Sequence, residues 1–145
     1  MTRIGNRMGV GLYRLLDGRF MGGTREVNVL IVTVPGRRSG VVRSNCVRFI
    51  RTPDGLVVWG SGSGSKRDPQ WFQNLRAAGG ATVEIGRDRM QVRAREVTGR
   101  ERDVMWTDVV LAEAPAVARY ARKAGRTIPI AVLEPDGRTS ESDSR

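Results

Sequence analysis

Apolar residues recur at Ile4, Met8 and Leu12, with Leu15 and Leu16 extending the stripe, and this spacing predicts a helix over residues 3–16. Arg3, Arg7 and Arg14 fall mostly off the stripe. A basic amphipathic segment of this kind docks on its own domain or on a membrane surface. Asp17 to Thr24 is glycine-rich and reads as a connection. The period then shortens. Glu26 to Val34 is β-branched and apolar on both faces, the pattern of a central strand. Pro35 to Gly40 is a turn, and Val41 to Arg51 alternates loosely as a second strand. Thr52-Pro53-Asp54-Gly55 turns the chain into a short strand over Leu56 to Trp59.

The second half repeats this logic with helices between hairpins. Gly60 to Ser65 reads GSGSGS and forms a loop. Asp68 at an N-cap and Pro69 at a first helical position predict a helix through Trp71, Phe72 and Leu75, stopped by Gly79-Gly80. Ala81 to Ile85 and Arg89 to Val97 form a hairpin around Gly86-Arg87-Asp88. Thr98 and Glu101 have the spacing of a capping box, opening a helix over Val104, Met105, Val109 and Leu111. Pro115 interrupts it, a further helical piece covers Ala116 to Lys123, and Ile128 to Leu133 is a last strand. Strands and helices do not alternate regularly, so a doubly wound sheet is not expected. The pattern predicts a mainly β chain with helices (α+β), about six mostly antiparallel strands in a barrel with helices packed outside. The chain divides into a basic N-terminal helix and linker (1–24), the barrel (25–135) and a polar disordered tail (136–145).

Composition narrows the chemistry. The 145 residues contain no histidine and one cysteine, Cys46. Ser-His-Asp and Cys-His nucleophilic chemistry, histidine-ligated haem and Cys-rich zinc sites are thereby excluded, and no metal site is expected. No secretory signal or apolar span is visible, which reads as a cytoplasmic protein with at most peripheral membrane contact. The net charge is +10. It is uneven: ten arginines up to Arg51 face only Asp17 and Glu26, a net of +8, whereas the rest is nearly balanced. Such a basic third calls for an anionic partner, and arginine forks suit phosphate and carboxylate. The aromatics are few and not arrayed along strands, which argues against nucleic acid.

Four stretches could carry chemistry. Gly36-Arg37-Arg38-Ser39-Gly40, followed by Arg43 and Asn45, gathers three arginines and a hydroxyl at one turn, a set of donors suited to phosphate. The Gly60 to Arg67 loop is glycine-rich but matches neither a Walker A loop nor a dinucleotide fingerprint. In Pro69 to Leu75, the adjacent Trp71 and Phe72 point to different sides of a helix, so one can enter the core while the other lines a cleft. Tyr120 carries a phenol that could donate a proton or polarise an acceptor.

Taken in order, Val29 to Arg51, Ser61 to Ala77, Val92 to Trp106 and Arg126 to Pro135 resemble the deazaflavin-dependent nitroreductase family of actinobacteria. The resemblance implies a split β-barrel of the FMN-binding-like class that holds coenzyme F420, an 8-hydroxy-5-deazaflavin with an anionic phospholactyl oligoglutamate tail, in preference to FMN. It assigns phosphate contacts to Arg37, Arg38, Ser39 and Arg43 with Asn45 nearby, and ring contacts to Ser61, Gln70 and Trp71. Tyr120 matches one of the family's substrate-facing tyrosines, whereas Ala114 and Val117 stand at the two preceding aromatic positions. Gly62 stands where some members have lysine, and Val42 where a proline is usual. The implied reaction passes hydride from the reduced deazaflavin to a quinone, enone or nitroaromatic, with Tyr120 or Ser61 hydrogen-bonding the acceptor. The alternative is a non-catalytic carrier of fatty acid, flavin or deazaflavin on the same fold. The chain would act as a monomer or homodimer.

Overall fold

A computed structural model describes residues 28–136. The expected helix over residues 3–16, its linker and the polar tail lie outside these residues. Seven strands form one antiparallel sheet: β1 (Val29–Pro35), β2 (Val42–Arg48), β3 (Ile50–Thr52), β4 (Gly55–Trp59), β5 (Gly80–Ile85), β6 (Asp88–Val97) and β7 (Ile130–Pro135). Their order is β2-β1-β5-β6-β7-β4-β3. Only Phe49 separates β2 from β3, yet these two strands are the first and last of that order. The sheet therefore curls until its two ends meet on one bent strand, with β1 paired along the first part and β4 along the second. The expected strand over Val41 to Arg51 is this bent strand, so the six expected strands and the seven observed describe one barrel. Phe49 is buried at the bend.

Alternation sorts the side chains into two cores. Leu30, Val32 and Val34 of β1 pack inside with Leu56, Val58, Val83, Val92, Ala131 and Leu133. The intervening Val57 and Trp59 of β4 and Ile130 and Val132 of β7 face the other way and meet the helices after β6. β1 is paired on both sides and buried almost throughout, as its unbroken apolar run requires.

Helix α1 (Gln70–Ala78) places Phe72 and Leu75 into the first core. Gly79, with φ 74°, ends it as a left-handed C-cap whose N–H donates to the Leu75 carbonyl. The helix starts one residue later than the sequence suggests. The Asp68 carboxylate does not cap it, because it accepts from Arg126 at 2.6 Å and Arg76 at 3.0 Å. Likewise the capping box at Thr98 does not form. Helix α2 (Gly99–Met105) follows Thr98 with no side-chain cap bond, and the Glu101 carboxylate pairs with Arg95 at 3.1 Å. In both cases a guanidinium is the stronger partner for the carboxylate. After α2 the chain makes a π-helical turn over Trp106–Val110 and a last helical turn, α3 (Leu111–Glu113). It breaks at Ala114, before Pro115, and resumes as α4 (Val117–Ala124). Met105, Val110, Val117 and Ala124 close the second core.

Candidate functional site

The β1–β2 connection, residues 36–41, is a closed, six-residue turn. The Gly36 N–H donates to the Val41 carbonyl and the Gly40 N–H to the Gly36 carbonyl, both at 2.8 Å. The Ser39 hydroxyl oxygen accepts the Val41 N–H at 3.1 Å, so this residue, expected at a phosphate, also builds the turn itself. Gly36 leaves room for it: a Cβ there would stand 2.9 Å from the Ser39 Oγ.

The three arginines of this region divide. Arg37 reaches across to α1, where its Nη1 donates to Gln70 Oε1 at 2.9 Å and to Asn74 Oδ1 at 2.7 Å. Arg38 is exposed and Arg43 is half-buried. Neither has a carboxylate partner among the described residues. Arg43 lies opposite Val34 and Asn45 opposite Val32, so both share the face of β2 that carries Val47 into the first core. Ser44, between them, marks the opposite face by its 2.7 Å hydrogen bond to Thr33. The fold thus joins Arg37 to Gln70 directly, and sets Arg38, Ser39, Arg43 and Asn45 along the same hairpin.

A second group lies after β4. Ser61 is half-buried and precedes the tight 3₁₀ turn Gly62–Gly64, and α4 packs on that turn with the Lys123 side chain over Gly64. Tyr120, on α4, is 39% exposed. The Ser61 and Tyr120 hydroxyls therefore sit on adjoining segments. No hydrogen bond joins them, and neither hydroxyl has a partner among the described residues. Trp71 stands half-buried, edge-on to Phe72 with ring centroids 5.4 Å apart. Phe72 enters the core and Trp71 lies at its margin, the division that their adjacency predicts.

Two contributors escaped sequence reasoning. Asn74 is the one polar side chain buried among the described residues, and its only sequence signal is its position four after Gln70 on the same helix face. Arg126 donates to Asp68 and to the carbonyls of Gly60, Ser61, Ser65 and Arg67 at 2.6–3.3 Å. Nothing in the local pattern around Arg126 announces this. Arg76 completes the cluster by bonding Glu96 at 2.7 Å as well as Asp68. The hydrogen bond to Glu96 holds the Arg76 guanidinium protonated beyond its already basic range, against the opposing effect of burial, and the hydrogen bond to Asp68 adds to it. No group of histidine, cysteine and acidic side chains among the described residues could hold a metal ion.

Residues 5–135 match the family described as F420H(2)-dependent quinone reductase. The chain belongs to this family. An F420H(2)-dependent quinone reductase of Mycobacterium tuberculosis (strain H37Rv) is 26% identical over 136 residues, 87% of this chain and 91% of the relative. Among solved structures, the F420-H2 dependent reductase FDR-A superposes with a TM-score of 0.64 at 26% identity, covering 73% of this chain and 93% of its own. A structure described as a domain-swapped dimer has a TM-score of 0.65 at 24% identity, covering 88% and 97%, and shares the fold. The protein is an F420H2-dependent hydride-transfer reductase on the split-barrel fold, in agreement with the resemblance read from its motifs.

The residues present fit the coenzyme that this family uses. A polyanionic tail needs cations that are not already neutralised, and Arg38 and Arg43, which have no carboxylate partner among the described residues, provide two on one hairpin. Among the described residues, nothing lies within 4 Å of where a Cβ on Gly40 would be. No helix among the described residues is long and apolar enough to cross a membrane.

Proposed function

We propose that this reductase takes a quinone as its acceptor, with activated enones and nitroaromatics as further substrates, and that it uses F420 rather than FMN. The observation that carries this reading is the pair of guanidinium groups, Arg38 on the turn that Arg37 anchors to α1 and Arg43 on β2, that have no carboxylate partner among the described residues. The names of the relatives support the quinone. Arg38 and Arg43, with Arg37, Ser39 and Asn45 beside them, bind the phosphate of the coenzyme. Gln70 and Trp71 on α1 and Ser61 on the loop after β4 place its ring.

When bound, the reduced coenzyme supplies hydride. The chain's own part is to hold the acceptor within roughly 3–3.5 Å of the donor and to exclude water. Ser61 and Tyr120 each have a hydroxyl without a partner among the described residues, which can donate to an acceptor oxygen on which negative charge develops. No histidine base is required for this chemistry.

The test is a titration of the protein with F420 and with FMN, read by tryptophan fluorescence, followed by oxidation of F420H2 with a soluble quinone, a cyclic enone and a nitroimidazole. The reading expects tighter binding of F420 than FMN, turnover fastest with the quinone, and slower turnover in Tyr120→Phe and Ser61→Ala. Binding without oxidation by any acceptor would make the protein a carrier. Equal affinity for FMN would remove the coenzyme preference.

A further inference from the structure

We infer that Arg126 is a positioning residue for hydride transfer: it locks the loop carrying Ser61 to the end of the helix carrying Tyr120. The inference rests on the roles proposed above for those two hydroxyls and adds the element that fixes their spacing. Arg126 follows Gly125, the left-handed C-cap of α4. From there its guanidinium enters the loop between β4 and α1. Nε donates to the Ser65 carbonyl at 3.0 Å, and Nη1 to the Asp68 carboxylate at 2.6 Å. Nη2 serves the carbonyls of Arg67 at 2.9 Å, Gly60 at 3.1 Å and Ser61 at 3.3 Å.

Three features give this arrangement its meaning. The loop is rich in glycine and serine and, apart from the Gly62–Gly64 turn, has no secondary structure of its own to hold it. One side chain engages both its ends, Gly60–Ser61 and Ser65–Asp68, so the loop closes around a single planar fork that a lysine cannot reproduce. The Arg126 side chain is only 16% exposed, and its partner Asp68 is held in turn by Arg76, itself bonded to Glu96 on β6. The clamp thus runs from α4 through the loop to α1 and the barrel wall. Removing it frees Ser61 to move relative to Tyr120, while the Arg38 and Arg43 hairpin, on other elements, is left in place.

The test compares wild type with Arg126→Lys and Arg126→Ala. Binding of F420 is measured by fluorescence, steady-state rates with a quinone give kcat, and hydrogen–deuterium exchange of the coenzyme-free protein reports on the loop. The expected result is a kcat at least ten-fold lower in Arg126→Ala, with a smaller rise in the F420 dissociation constant, since the loop carries one ring contact, Ser61, while the Arg38 and Arg43 hairpin is left in place. Exchange should be faster over residues 61–67 but unchanged in β1 and β2, and added guanidinium should partly restore kcat. Arg126→Lys should fall between the two. A folded Arg126→Ala with wild-type kcat overturns the inference, as does loop exchange that does not change. If Arg126→Ala does not fold, Arg126→Lys decides: a kcat within two-fold of wild type overturns the inference, and so does its failure to fold, since Arg126 would then serve the fold as a whole. If wild type itself neither binds F420 nor oxidises F420H2, it is the proposed function that fails, and loop exchange in the variants still tests the clamp alone.

Discussion

Asn74 Oδ1 accepts two hydrogen bonds from Arg37, one from the backbone N–H at 3.1 Å and one from Nη1 at 2.7 Å. A single buried amide on α1 thereby fixes both the chain path and the side chain of the basic turn. Asn74→Ala removes the acceptor and leaves the Arg37 donors without it. The expected cost is about 1–3 kcal/mol of stability, visible in thermal or urea unfolding, with weaker F420 binding because the turn loses its anchor. Asn74→Asp keeps an acceptor but adds a negative charge near the cradle, so it should weaken coenzyme binding more than it weakens the fold. Wild-type stability and affinity in Asn74→Ala would show that the turn holds itself.

The side chains of Arg38 and Arg43 have no hydrogen-bond or ion-pair partner among the described residues, and each should contribute to affinity separately. A hydrogen bond to a charged group is worth about 1.5–3 kcal/mol, so Arg38→Ala and Arg43→Ala should each raise the F420 dissociation constant by roughly ten-fold or more. Arg37→Ala should also reduce binding and, unlike the other two, lower the unfolding temperature, because it unties Gln70 and Asn74. Raising ionic strength should weaken the binding of wild type and narrow its lead over the variants. Fluorescence titrations at two salt concentrations measure this. Unchanged affinity in both Arg38→Ala and Arg43→Ala would remove the phosphate assignment.

Much of this architecture is legible in the sequence, because local pattern and turn chemistry act on neighbouring residues. The apolar run at β1, the Thr52–Gly55 turn, the glycine stop of α1 and the break before Pro115 are all local and are all present. What is not local is less legible. Nothing near Phe49 says that the strand around it joins the two ends of the sheet, since that depends on β4 pairing with β7 and β7 with β6. Asp68 and Glu101 look like cap residues by spacing, but Arg126 and Arg76 for the first, and Arg95 for the second, claim their carboxylates once the chain is folded. Arg126 itself lies 58 residues from Asp68 in sequence, beyond any periodicity argument.

The missing histidine has a consequence for pH dependence. Histidine is the one side chain whose ordinary pKa falls in the neutral range. The pKa of Arg76 is raised in the fold by Glu96 and Asp68. A group raised in this way contributes its full stabilisation below its unfolded pKa and loses it only as pH climbs through the folded value. Both values lie far above neutrality, so the Arg76 contribution is constant across the working range. The unfolding temperature should therefore vary by no more than about 2 °C between roughly pH 5.5 and 7.5. A midpoint that moves by several degrees in that window, followed by scanning calorimetry, would mean that some other group titrates with folding.

Two glycines with positive φ compare strain alone with strain plus a clash. Gly55 opens β4 with φ 136°, and a Cβ there would stand 2.5 Å from the Leu133 carbonyl oxygen. That oxygen belongs to β7, whose ladder with β4 pairs Leu133 with Leu56, so it cannot retreat without breaking the seam that closes the barrel. Gly79 also has positive φ, 74°, but nothing among the described residues lies within 4 Å of its Cβ position. Gly79→Ala therefore incurs the conformational penalty alone, about 1 kcal/mol. Gly55→Ala incurs a conformational penalty of its own at φ 136° and a backbone clash, together about 2–5 kcal/mol. At roughly 3–5 °C per kcal/mol for a domain of this size, Gly55→Ala should lower the unfolding temperature by roughly 6–25 °C and Gly79→Ala by about 5 °C or less. Equal losses in the two variants would show that φ alone sets the cost, and that the β4–β7 seam yields where its ladder says it should be rigid.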